Sequence, residues 1–79
     1  MKTQTLNAMV AATERYMASP EGTSLLLWSF SRDLSPQGAI ILCVGKATGL
    51  EKLEAAEEVA SEIVRQETAK AVGYTKVGA

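Results

Sequence analysis

The sequence predicts a small α+β domain in the order helix, β-hairpin, long helix (αββα). Three observations carry that expectation. Apolar residues recur at helical spacing near the start and again in the second half of the chain. Between them, Trp28-Ser29-Phe30-Ser31 alternates apolar and polar residues, as a half-buried strand does. The next segment, Ala39 to Lys46, is apolar on both alternating faces, as a strand covered on both sides is.

The first helix is predicted from about Thr3 to Ala18. Leu6, Met9, Val10, Thr13 and Met17 fall on one helical stripe, and Thr3 or Thr5 can cap it. Ser19-Pro20-Glu21-Gly22 ends it, because a proline disfavours helical geometry at the residue before it and a glycine permits a turn. The first strand is predicted over Thr23 to Arg32, with Leu26, Trp28 and Phe30 on one face and Leu25, Leu27, Ser29 and Ser31 on the other. Asp33 to Gly38 is rich in turn formers and joins it to the second strand, Ala39 to Lys46. The connection is short and polar, so the two strands are expected to pair as an antiparallel hairpin.

Thr48-Gly49-Leu50-Glu51 matches a capping box and opens the second helix. Leu50, Leu53, Ala56, Ala60, Ile63 and Val64 make its apolar stripe, and Gly73 suits a left-handed stop. Tyr74 to Val77 is compatible with a short third strand or with an unstructured end.

The 79 residues read as a single domain, 1–79, with no repeat or linker. A chain of this size buries only roughly 60–65% of its unfolded surface, so it is expected to recruit further stabilisation. The single cysteine, Cys43, excludes an internal disulfide, and the lack of histidine removes the usual zinc ligands. Self-association is the remaining common route, with a dimer favoured. A two-stranded hairpin covered by helices on one face leaves Leu25, Leu27, Ile41 and Cys43 on the other, which makes them the expected oligomer interface. A helix on each face of the hairpin would cover the same residues within one chain.

A formal net charge of −1 argues against broad electrostatic binding to nucleic acid or to an acidic membrane. No segment approaches the ~20 apolar residues of a membrane span, and the first residues lack the pattern of a secretion signal. A lone thiol in an apolar run fits a reducing, cytoplasmic setting.

Four constellations bear on function. Gly45-Lys46-Ala47-Thr48-Gly49 is expected between a strand and a helix start, where free amides, Lys46 and the Thr48 hydroxyl would suit an anion. It departs from a phosphate-binding loop, since Ile40 stands where the earlier glycine is needed and Ala47 separates Lys46 from Thr48. Glu54, Glu58 and Glu62 lie one turn apart on the second helix and form either a solvated acidic face or a docking surface for a basic partner. Arg15 and Tyr16 are residue types that anchor interfaces. Cys43, Trp28 and Phe30 read as core, because no histidine activates the thiol and no basic residues interleave with the aromatics.

The absence of histidine and of any paired nucleophile and base argues against an enzyme, and neither a cofactor nor a metal is expected. The expected function is that of a non-enzymatic protein-interaction domain acting as a regulator, inhibitor or adaptor. A phage or mobile-element protein that blocks a host protein is one concrete form. The alternative is an oligomeric binder of a phosphate-containing or nucleotide ligand at residues 45–49.

Overall fold

Ser19-Pro20-Glu21-Gly22 and Ser35-Pro36-Gln37-Gly38 are where the chain departs from this expectation. In the computed structural model, which describes the backbone of residues 1–78 and the side chains of residues 1–72, each of these segments starts a helix. The Ser19 hydroxyl accepts a hydrogen bond from the Gly22 amide, and the Ser35 hydroxyl one from the Gly38 amide, both at 3.1 Å. Proline occupies the first helical position in each case, where its missing N–H costs nothing and its fixed φ suits the helix. The signal read as a break is a break followed at once by a start.

The described residues form four α-helices and no strand: α1 Thr3–Ala18, α2 Pro20–Ser31, α3 Pro36–Thr48 and α4 Leu53–Gly78. The α+β assignment and the αββα order are therefore corrected to a helical bundle. The first predicted strand is α2. Its inward residues Gly22, Leu25, Leu26 and Ser29 follow a helical spacing that the alternation at Trp28 to Ser31 masked. The second predicted strand is α3. This helix packs against all three others, so it is apolar nearly all round, and periodicity cannot separate such a helix from a buried strand. The short third strand at Tyr74–Val77 is also absent, because the α4 backbone is helical through Gly78 and so passes Gly73.

α1 keeps its expected span and stripe. Val10 and Thr13 are buried, with Leu6, Met9 and Met17 packed beside them. The buried Thr13 hydroxyl donates to the Met9 carbonyl at 2.8 Å, so its burial leaves no orphan donor. α2 ends in a Schellman turn. Leu34 N–H donates to Ser29 O and Asp33 N–H to Phe30 O, each at 3.1 Å, with Asp33 left-handed at φ 60°. α3 ends at Gly49, left-handed at φ 75°, whose amide donates to Gly45 O at 2.9 Å. The Thr48–Glu51 capping box does not form: Thr48 is the last residue of α3, and α4 begins at Leu53.

α1 and α3 pack together, and α2 and α4 each pack on both of them, with no contact between α2 and α4 among the described residues. The core is Val10, Val44, Ala56, Val59, Ala60 and Ile63, ringed by Leu6, Met9, Met17, Ile40, Ile41 and Leu50. It draws on α1, α3, α4 and the turn before α4. No side chain of α2 belongs to it.

Candidate interaction surface

α2 is inverted. It buries only its small residues fully, keeps Leu25 and Leu26 half-buried, and turns Leu27, Trp28 and Phe30 outward. Gly22 and Ser29 are its buried positions, whereas Leu27 is 65% exposed and Trp28 and Phe30 are 50% exposed each. The physical cause is close approach. A Cβ at Gly22 would stand 1.9 Å from the Tyr16 carbonyl oxygen, so only glycine lets α2 fold back against the end of α1. Ser29, two turns further on, is fully buried, and its hydroxyl is satisfied by donating to the Leu25 carbonyl at 2.8 Å within its own helix. Leu25 and Leu26 flank this seam half-buried, and Leu27, Trp28 and Phe30 fall on the remaining, outward face.

On a helix, positions two apart lie roughly 200° apart around the axis, so Trp28 and Phe30 sit on opposite flanks with Leu27 between them. Leu34, in the turn after α2, is exposed as well. The Arg32 guanidinium lies over the Trp28 ring, 5.2 Å from its centroid, and holds one flank by a cation–π contact. Trp28 and Phe30, expected in the core, are thus the most exposed aromatics among the described residues.

The expected oligomer interface is not a single surface. Leu27 is outward, Leu25 and Ile41 are half-buried, and Cys43 is fully buried. These four shared a face only in an extended geometry the chain does not adopt. Burial pushes the Cys43 thiol above its ordinary pKa, which keeps it protonated and unreactive at neutral pH.

Residues 45–49 form the C-terminal end of α3 rather than the N-terminus of a helix. Such an end presents carbonyl oxygens and the negative pole of the helix dipole, which suit a cation. Lys46 stands in that last turn and complements it. The Thr48 hydroxyl is occupied, donating to Val44 O at 2.6 Å and accepting from Leu50 N–H at 3.3 Å. The local geometry therefore lacks the amides on which the anion-site expectation rested.

On α4, Glu54 and Glu58 are exposed and Glu62 is half-buried. Glu58 pairs with the Met1 amino group at 3.6 Å. Glu62 accepts two hydrogen bonds of 2.6 Å from the Arg65 guanidinium. That bidentate bond holds the Glu62 carboxyl below the usual carboxylate range, so the pair persists until the pH falls beneath it. The acidic face is thus partly neutralised by its own neighbours. No three carboxylate or thiol groups converge to hold a metal among the described residues. Arg15 is exposed and Tyr16 half-buried near the end of α1.

No protein-family model, curated protein or solved structure matches this chain. No helix among the described residues is long and apolar enough to cross a membrane.

Proposed function

We propose that the chain is a non-catalytic protein-interaction domain, of the regulator, inhibitor or adaptor kind, whose docking surface is the outward face of α2. One observation carries the reading: a helix with no residue in the hydrophobic core cluster exposes Leu27, with Trp28 on one flank and Phe30 on the other. Contiguous exposed apolar surface of this kind marks contact sites, and tryptophan is prominent among interface anchors. A lone buried thiol suits work in a reducing compartment.

The test uses a photo-crosslinking side chain placed at Leu27 and, separately, at Glu58. Protein adducts should form from position 27 and be suppressed when Trp28 and Phe30 are both changed to serine. Adducts from position 58 alone would move the docking surface to the acidic face of α4.

A further inference from the structure

α2 is attached differently from the other three helices. α1, α3 and α4 share one core, and no side chain of α2 enters it. The polar ties of α2 to the body gather at its first turn. There Gly22 lies against the Tyr16 carbonyl, and the Thr23 hydroxyl reaches the Met17 carbonyl at 3.4 Å. Beyond Thr23 no hydrogen bond among the described residues joins α2 to another helix, and those of the Ser29 and Ser31 hydroxyls stay within α2. The half-buried Leu25 and Leu26 are the apolar hold on that part of the helix. α3, by contrast, is bonded to α4 through Gln37 and Ser61 at 3.2 Å and buries Val44 in the shared core.

α3 also carries a buried stripe that this core does not use. Ala39 and Cys43 are fully buried, one turn apart, and neither belongs to the core cluster. They lie roughly 100–140° around α3 from Val44, which faces the core. α1 and α4 close the core side, and α2 is the remaining helix that packs on α3. We infer that α2 is a hinged lid over this stripe. It swings out from its Ser31 end about the corner at Ser19 to Gly22, while α1, α3 and α4 stay packed, and so uncovers Ala39 and Cys43. This goes beyond the docking surface proposed above and does not depend on what docks there.

Two properties favour the opening of this helix. Little apolar area returns to water, since Leu27, Trp28 and Phe30 are outside already, and segments with few buried apolar contacts open at low free energy. The joint at the swinging end is also strained. Asp33 is left-handed at φ 60°, a conformation that costs a non-glycine residue free energy, and opening lets it relax. Opening frees Leu25 and Leu26 as well, so the helix gains apolar surface as it leaves the body.

Cys43, the one thiol of the chain, serves as the reporter. The full chain, free of denaturant, is exposed to a small aromatic disulfide reagent, and the labelling rate is measured in wild type, Leu26→Ala and Ile63→Val. Leu26→Ala weakens the hold of the lid, so labelling should quicken about fivefold, the scale for re-exposing half a leucine side chain. Ile63 packs in the core that stays closed. Ile63→Val should therefore leave the rate unchanged while lowering the stability of the whole chain. An Ile63→Val rate that rises as well, by about fivefold, means that the thiol is reached only by complete unfolding and overturns the lid. A rate indifferent to Leu26→Ala overturns it too, since α2 is then not what covers Cys43. Hydrogen exchange gives a second reading without substitution. Backbone amides of residues 26–31 should be protected at least about tenfold less than those of residues 59–63, and equal protection of the two segments overturns the lid.

Discussion

α2 and α4 pack on the same central pair of helices, yet they do opposite things with their side chains. α4 turns Ala56, Val59, Ala60 and Ile63 into the core and leaves its glutamates at the surface. α2 turns Gly22 and Ser29 inward and leaves Leu27, Trp28 and Phe30 outside. The first helix is held by burial of apolar area. The second is held by close backbone approach, by its caps and by the half-buried Leu25 and Leu26, and Leu27, Trp28 and Phe30 remain available. Amphipathicity therefore reports stability in α4 and availability for contact in α2.

The largest effect should separate the two helices most directly. Ile63 is 1% exposed, so Ile63→Ala should cost about 2–5 kcal/mol in chemical denaturation, the range of a large-to-small change in a packed core. A loss below that range would mean that α4 is not the main source of burial. Gly22→Ala tests the backbone seam of α2. A methyl group forced to within 1.9 Å of the Tyr16 carbonyl must push the helices apart. The expected loss is about 3 kcal/mol, near the upper end for overpacking, and an unchanged melting curve would refute the close approach.

A smaller effect of opposite sign is expected at the end of α2. Asp33 holds a left-handed conformation that glycine adopts without strain, so Asp33→Gly should stabilise the chain by about 1 kcal/mol. Destabilisation there would point to a role for the aspartate side chain beyond the turn. The smallest effect should come from Leu27, the most exposed large apolar side chain among the described residues. Leu27→Ser, melted at low protein concentration, should lie within about 0.5 kcal/mol of wild type. A loss comparable to that at Ile63 would mean that α2 is held in the fold by its outer residues, and the contrast between the flanking helices would collapse.

Legibility in the sequence followed the same divide. The stripe of α1 was readable from Leu6 to Met17, because one covered face produces one clear period. In α4 the period was readable too, although Val59 belongs to the core while Leu53 and Val64 are exposed. The hairpin error had two sources. Trp28 and Phe30 flank an outward face, and two large residues separated by a serine imitate a strand. Ser-Pro-X-Gly occurs twice, at residues 19–22 and 35–38, and it both stops one helix and starts the next. A serine cap followed by proline at the first helical position was the available signal for the starts of α2 and α3. Of the surface now proposed, Leu27 was singled out, but for a face it does not share with Cys43.

By itself the sequence determined the helical periods of α1 and α4, the serine caps, the lack of histidine and of disulfide partners, and a near-neutral charge. These depend on residue type and local spacing alone. Tertiary structure decided the rest. α3 is helical and apolar on nearly every side because three helices surround it. α2 faces its bulky residues outward because Gly22 alone can pass the Tyr16 carbonyl. How many neighbours cover a segment, and how closely they approach, are properties of the packed chain, and no window of sequence contains them.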